Sequence, residues 1–316
     1  MHYKTLNILI FGTGGIGIRH IEALLSIPKN IKLNFFISDI NIEALNFAKK
    51  YIKEKRSNVS IYNFLELDEI EKNIDLTIIA TTSFPRFEII ESLLEKGIKG
   101  YFLLEKLIAP NFTILNEYID LFSKYESASK IFVNQWYYAA STFNCILKNS
   151  PNPKSILLKG NGWGMACNAV HYISLFEQLF CTRFHCLDSH LEIVESKRKP
   201  YKELIGVIIL RSNSDINFTI SCNQNEDKSK LRSISVYSEK NNYLYKYDGQ
   251  FLQDELNEKV YKMPYLSSFL KNIYNKTQIS KEIVQNFVPL KDSIRNHQCL
   301  FNAIEKSSLS TQNYFT

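Results

Sequence analysis

No stretch of the sequence approaches the roughly 20 consecutive apolar residues that cross a bilayer, so a membrane-spanning helix is not expected. Cysteine is sparse: six residues, at 145, 167, 181, 186, 222 and 299, with no CxxC pair and no short regular framework. That usage predicts reduced thiols in a cytoplasmic protein, not a disulfide scaffold. HExxH, clustered Cys/His and carboxylate-rich loops are all missing, so no metal site is expected. Charge of one sign is not concentrated either. The formal net charge is +6, but Lys and Arg alternate with Asp and Glu, which argues against nucleic acid as a partner. The densest basic run, Lys197-Arg198-Lys199, lies between Glu195 and Pro200 with a β-like stretch on either side. It reads as a solvated hairpin tip, with an anion site as the alternative. The first apolar stretch follows Lys4, lacks a small-residue cleavage site and reads as a strand, not a signal peptide.

What is present is apolar material in quantity. The 316 residues are 45% hydrophobic, more than one core needs, and two domains are expected, 1–122 and 123–316. Up to about residue 120 the sequence alternates short β-rich runs with helical ones (Asn7–Phe11, Gly15–Ser26, Leu33–Ser38, Ile42–Lys53 and onward to Asn111–Tyr125). This spacing predicts βαβ units and a parallel sheet. After Lys130 it changes. A strand (Ile131–Gln135) and two helices (Tyr138–Lys148, Asn168–Phe180) precede a series of strands: Leu191–Ser196, Glu203–Arg211, Ile216–Cys222, Arg232–Ser238 and Tyr243–Tyr247. Hairpin-linked strands of this kind predict a largely antiparallel sheet. Two helices, Leu266–Lys276 and Leu290–Lys306, are expected to follow. The fold class is therefore α/β: an N-terminal Rossmann domain, then an α+β domain with an open-faced sheet.

The run "ILIFGTGGIGIRHIEALL", Ile8 to Leu25, carries the first chemistry. Gly12-Thr13-Gly14-Gly15-Ile16-Gly17 matches GxGxxG, preceded by an apolar strand and followed by an amphipathic helix. The first glycine permits the tight turn. The second lets a diphosphate approach the backbone, and the third lets helix and strand pack closely. The next strand ends in Ser38-Asp39, 22 residues after Gly17. An acid there accepts ribose hydroxyls and repels a 2′-phosphate, which favours NAD over NADP.

The stretch "IDLTIIATTSFPRFEIIESLLEKGIKGYFLLEKLIAP", Ile74 to Pro110, resembles the segment of the glucose-fructose oxidoreductase/inositol dehydrogenase (Gfo/Idh/MocA) family that runs from an aspartate-led strand through ATP- or ATT-like residues to Glu-Lys-Pro. The resemblance covers the first 110 residues and continues in fragments to about His171. It implies a Rossmann domain followed by an open-faced α/β domain. It further implies that Ala80, Thr81 and Thr82 line the nicotinamide ribose, that Glu105 and Lys106 end the next strand on the cofactor side, and that Lys106 sits near the reacting carbon. Leu107 stands where most members carry proline.

In the family, a helix downstream begins with an Asp and carries a His four residues later. The corresponding piece is "KGNGWGMACNAVHYISLFEQLF", Lys159 to Phe180, in which His171 takes the place of the histidine and Cys167 that of the aspartate. A histidine here suits proton transfer to or from the substrate hydroxyl. Asn168, one step on, shares a helix face with His171 and Tyr172 and offers an amide to the substrate oxygen. Asn134-Gln135-Trp136-Tyr137 stands where relatives often carry N-x-R. Aromatics at Trp136, Tyr137 and Trp163, beside Asn134, suggest a stacked carbohydrate ring more than a clamped carboxylate. The other histidines, among them His20 on the first helix, are weaker candidates.

Together these residues predict an NAD(H)-dependent oxidoreductase acting on a CH–OH group of a sugar-like, possibly nucleotide-linked, alcohol or ketone in carbohydrate or glycan biosynthesis. Lys106 and His171 are its candidate catalytic residues. A catalytically weak NAD-binding sensor or complex subunit, and an imine or tetrapyrrole reductase, are the alternatives on the same fold. The resemblance also implies a homo-oligomer, a dimer or tetramer, joined through the exposed face of the second sheet, where Val207–Leu210 and Ile216–Ile220 are apolar on both faces.

Overall fold

The computed structural model describes residues 4–64, 73–125, 130–136, 140–224, 231–265, 267–273, 275–310 and 313–315. In chain order the elements begin β1 (Lys4–Phe11), α1 (Gly15–Leu25), β2 (Ile31–Ser38), α2 (Ile42–Lys55), β3 (Val59–Asn63), β4 (Leu76–Ile79), α3 (Arg86–Glu95), β5 (Tyr101–Glu105), α4 (Phe112–Lys124) and β6 (Ile131–Asn134). They continue α5 (Ala140–Asn149), β7 (Ser155–Asn161), α6 (Met165–Leu179), β8 (Phe184–Glu195), β9 (Lys202–Ser212), β10 (Asn217–Asn223), β11 (Arg232–Tyr237) and β12 (Asn242–Tyr247). Then follow β13 (Phe251–Asp254), β14 (Lys259–Lys262), α7 (Ser267–Leu270), α8 (Lys276–Asn286), β15 (Val288–Pro289) and α9 (Leu290–Lys306). The chain divides into two compact units. The first comprises Met1–Ile108, Glu117–Asn134 and Tyr265–Lys291; the second comprises Ala109–Asn116, Gln135–Pro264 and Asp292–Thr316.

The first unit is built on a seven-stranded sheet in the order β15-β6-β5-β4-β1-β2-β3, parallel except for β15, which runs antiparallel to β6. Strand β4 is buried along its whole length, as expected for a parallel strand covered on both faces. The turns between the strands are fixed by side chains of known chemistry. Asn41 caps α2 by accepting from the amides of Glu43 and Ala44. The buried Arg56 donates to the carbonyls of Ile27, Pro28 and Ile31, tying the segment after α1 to the start of β2.

The second unit is built on an eight-stranded sheet in the order β14-β13-β12-β11-β7-β10-β9-β8. All its pairs are antiparallel except β7 with β10. The fold is thus α/β, with one mostly parallel Rossmann-like sheet and one mostly antiparallel sheet. The basic run at 197–199 falls in the connection between β8 and β9, where Lys199 and Lys202 both pair with Glu195.

The C-terminal quarter departs from expectation. The helix expected over Leu266–Lys276 is not continuous. Four residues form α7, and α8 then starts afresh at Lys276. The reason is local: the Asn275 side chain accepts from the Gln278 amide at 3.0 Å, so Asn275 caps a new helix in place of continuing the old one. Strands β7, β13 and β14 were not anticipated. The first is an interrupted apolar run, and the other two are four residues each.

Candidate functional site

In the first unit the glycine turn joins β1 to α1, and the three glycines of the motif do different work. Gly12 has φ +86°, and a Cβ built there would lie 2.8 Å from the carbonyl carbon of Ala80. The turn therefore packs against the end of β4 with no room for a side chain. Gly17 is tighter still: a Cβ there would lie 2.0 Å from the Gly12 carbonyl oxygen, so α1 reaches the strand only because this residue has none. Gly14 and Gly15 are the opposite. A Cβ on either meets nothing within 4 Å, and Gly14, Gly15 and Ile16 are all exposed. Gly14 is the N-cap of α1, no side chain caps it, and no acid occupies the first turn. Uncapped first-turn amides at the positive end of a helix, beside an open glycine surface, form a seat for a diphosphate.

Asp39, just past the end of β2, faces this turn. Its Oδ2 accepts from the Thr13 amide at 2.5 Å and the Thr13 hydroxyl at 3.0 Å, and its Oδ1 accepts from the Asn41 amide at 2.8 Å. Three bonds on a carboxylate with about four acceptor positions leave Oδ1 able to take one more donor. The half-buried anion is thus fixed in position and still has capacity for a ribose hydroxyl. These residues fit a bound dinucleotide.

Ala80 and Thr81 are half-buried after β4, and Thr82 is exposed. Arg86, buried at the start of α3, donates from Nη2 to the Thr81 carbonyl and from Nη1 to the Leu107 carbonyl. It ties the segments that follow β4 and β5 to each other. Glu105 ends β5, and its Oε1 accepts from His20 Nε2 at 2.7 Å and Asn134 Nδ2 at 2.8 Å. Burial alone would raise the Glu105 pKa. The hydrogen bond and charge of His20, the Asn134 amide and the nearby Lys106 charge outweigh it and hold the carboxylate below its ordinary range. Lys106 follows, half-buried, and the Lys106–Leu107 peptide bond is cis. His20 and Arg86 were not singled out for this cluster. His20 did carry a usable signal, since it lies three residues after Gly17 on the sheet-facing side of α1.

In the second unit α6 carries His171 and Tyr172. Its start is held by Glu203 of β9, whose Oε1 accepts from the Ala166 amide at 2.6 Å; an anion here complements the helix dipole. Asn168 turns its amide nitrogen back onto the carbonyls of Trp163 and Gly164 at 3.0 Å each, and Cys167 beside it is half-buried. His171 stacks on Trp136, ring centroids 4.6 Å apart and planes 11° off parallel. Trp136 has φ +53°. A bulky residue in the left-handed region stores of order 1–3 kcal/mol of strain, a feature that clusters at functional sites. Tyr172 and Tyr247 meet the same indole edge-on at 5.1 and 5.4 Å. The Tyr172 hydroxyl is buried with no hydrogen-bond partner among the described residues.

Trp163 is only 5% exposed, and its Nε1 donates to the Ser221 carbonyl. It therefore packs the cluster from behind. Asn134 belongs to the first unit, where it serves Glu105 as described above. Tyr137 lies outside the described residues. Two members of the second-unit cluster were missed: Tyr247, and Arg232, 7% exposed, with its Cζ 4.8 Å from the Tyr247 ring centre. The signal was legible in "RSISVY", where an arginine takes an inward position of a strand that otherwise alternates Ile, Val and Ser.

Residues 6–134 match the family described as "Oxidoreductase family, NAD-binding Rossmann fold", that of Gfo/Idh/MocA. No curated protein matches the sequence. Solved structures share the fold along nearly all of the chain. The WlbA dehydrogenase from Bordetella pertussis, in complex with NADH and UDP-GlcNAcA, is 14% identical with a TM-score of 0.71, covering 96% of this chain and 97% of that one. Biliverdin reductase from Synechocystis sp. PCC 6803, in complex with biliverdin and NADP+, is 12% identical with a TM-score of 0.69, covering 96% and 99%. A myo-inositol dehydrogenase from Corynebacterium glutamicum ATCC 13032 is 15% identical with a TM-score of 0.63, covering 96% and 97%. Residues 6–134 thus match the NAD-binding Rossmann domain of the Gfo/Idh/MocA oxidoreductase family, and the chain as a whole shares the two-domain fold of these solved dehydrogenases.

Proposed function

We propose that the chain is an NAD(H)-dependent oxidoreductase acting on a CH–OH group, or the corresponding ketone, of a sugar-like and nucleotide-linked substrate. The observation that carries the cofactor half is the open, uncapped glycine turn facing a carboxylate that its own neighbours hold in place. Asp39 supports NAD over NADP, because a 2′-phosphate would bring a second anion against it. When bound, the nicotinamide supplies or accepts the hydride.

The remaining chemistry falls to side chains. Lys106 carries the positive charge that stabilises a developing alkoxide. His171, its ring plane fixed by Trp136, takes the hydroxyl proton in oxidation and returns it in reduction. Asn168 and Cys167 stand near the start of the same helix for contacts to neighbouring hydroxyls. The aromatic surroundings of His171 support a ring-shaped substrate, and the UDP-sugar in the Bordetella complex supports its class. The test is NAD-linked turnover, followed at 340 nm, on a panel of sugars, nucleotide sugars and a tetrapyrrole. Lys106→Ala and His171→Ala are each expected to cut turnover by about 10²–10⁴-fold, and Asp39→Ala to weaken NADH binding by calorimetry. Unchanged turnover in both variants would remove the catalytic assignment.

The six free cysteines support a cytoplasmic location. The outward face of β9 and β10 leaves Val207, Ile209 and Thr219 half-buried, which supports a homo-oligomer formed on that face. Sedimentation at micromolar concentration is expected to show a dimer or tetramer, and Val207→Lys with Ile209→Lys to shift it to monomer.

A further inference from the structure

Strand β11 alternates strictly: Arg232, Ile234 and Val236 are buried, and Ser233 and Ser235 between them are half-buried. The pleat therefore sets a guanidinium in a row otherwise reserved for Ile and Val. Its cross-strand neighbours on that face are Gly160 of β7 and Tyr247 of β12. A Cβ at Gly160 would lie 3.0 Å from Arg232 Cγ and 2.8 Å from Trp163 Cδ1, so the arginine stem and the indole already occupy the space a side chain there would need.

A charge in such a place calls for an anionic partner. Among the described residues Arg232 makes no side-chain hydrogen bond and no ion pair, and its Nε is buried without a partner. Asp248 feels its charge but makes no ion pair with it, and its Oδ1 takes the Gln250 and Phe251 amides, each at 2.8 Å. The face of Tyr247 is an incomplete substitute, because a ring offers no acceptor to five N–H donors. Beside the guanidinium there is open space: a Cβ at Gly249 would meet only Arg232 Nη2, at 3.6 Å. The arginine also adjoins the proposed substrate site. Tyr247, under its guanidinium, touches Trp136, which stacks on His171.

We infer that Arg232 is an anion-recognition residue of the second unit and that the substrate carries an oxyanion, a carboxylate or a phosphate, on its sugar-like body. A planar fork of donors suits either group and gives a neutral hydroxyl no comparable grip. This narrows the substrate class of the activity proposed above and rests on it. It also shifts the expectation, drawn from the aromatics that stand in place of N-x-R, of a stacked carbohydrate ring more than a clamped carboxylate.

The test compares the wild type with Arg232→Met, each saturated with NADH, in calorimetric titrations with D-glucuronate, D-glucose 6-phosphate and D-glucose. The wild type is expected to bind one of the two anionic sugars at least about tenfold more tightly than glucose, and whichever it prefers identifies the anion. Arg232→Met should lose that preference, keep the NADH heat, and melt at the same temperature or higher, since an unpaired buried charge has been replaced by an apolar chain. Equal binding of glucose, or a preference that survives in Arg232→Met, overturns the inference. So does a melting temperature that falls in Arg232→Met and recovers on adding Glu226→Gln and Asp227→Asn, because the guanidinium would then serve the chain's own carboxylates. Absence of NADH heat in both proteins removes the oxidoreductase reading itself, and the inference with it.

Discussion

Gly17→Ala is expected to abolish measurable NADH binding and to lower unfolding free energy by about 1–3 kcal/mol, the range for forcing extra volume into a packed interior. The added methyl would sit 2.0 Å from the Gly12 carbonyl oxygen and 2.9 Å from its carbon. Both are backbone atoms at the apex of the turn, so no side chain can swing aside. Relief requires α1 to lift from β1, and lifting moves the first-turn amides away from the diphosphate they would hold. Gly15→Ala supplies the contrast. Its methyl meets nothing within 4 Å, and alanine is the better helix former by up to about 1 kcal/mol. This variant should be as stable as the parent or more so, yet bind NADH more weakly, because the methyl fills the open surface the ligand needs. Urea denaturation and calorimetry separate the two outcomes. If Gly15→Ala binds NADH as the parent does, the turn is only a structural corner.

His20→Phe is expected to be the most destabilising single change in the first unit, by about 3–5 kcal/mol, because it removes the hydrogen-bond partner of a buried carboxylate and leaves the carboxylate in place. His20 is fully buried and Glu105 is 8% exposed, so water cannot replace the lost donor. Adding Glu105→Leu should recover most of the loss. The pH dependence carries a sign that packing alone does not. In the parent, the folded-state pKa of Glu105 lies below its ordinary value of 4.5. The ionised carboxylate therefore contributes stability that is fully present above that value and fades as pH falls through the depressed one. In His20→Phe the burial remains while its strongest counterweight is gone, which pushes the pKa upward. The sign then reverses: stability should be recovered as the pH is lowered from 7 toward 4. Urea midpoints across this range test it, and parallel profiles for parent and variant would mean that His20 does not set the ionisation of Glu105.

Much of the first unit was legible because local signals and tertiary demands coincide there. Strands β1, β2, β4 and β5 are apolar runs bounded by turn residues, and GxGxxG followed by Asp39 fixes the turn's chemistry without knowledge of distant contacts. The role of Gly17 could be read from spacing because it answers a steric need five residues away, at the Gly12 carbonyl, whereas the contact that requires Gly12 lies on Ala80, 68 residues on. The Glu105 network was not legible. Its members come from α1, β5 and β6, and no local pattern announces that a histidine on one element will meet a carboxylate 85 positions later. The second unit failed differently. Strand β7 pairs in parallel with β10, a contact sixty residues long in sequence that hairpin logic does not supply. Arg232 was visible in the sequence but was passed over, since a single charge in an alternating strand is ordinarily placed outward. The continuous helix expected over Leu266–Lys276 was overridden by the Asn275 side chain, which caps a new helix and competes with helical continuation.

The re-entry of Tyr265–Lys291 into the first unit bears on how the protein is made. Strand β6 acquires its antiparallel neighbour from Val288 and Pro289, more than 150 residues downstream of its own last residue. On a ribosome adding about 5–20 residues per second, the parallel sheet therefore waits with an unprotected border while the whole of the other sheet emerges. The strand that closes the parallel sheet is thus made only after every strand of the other sheet.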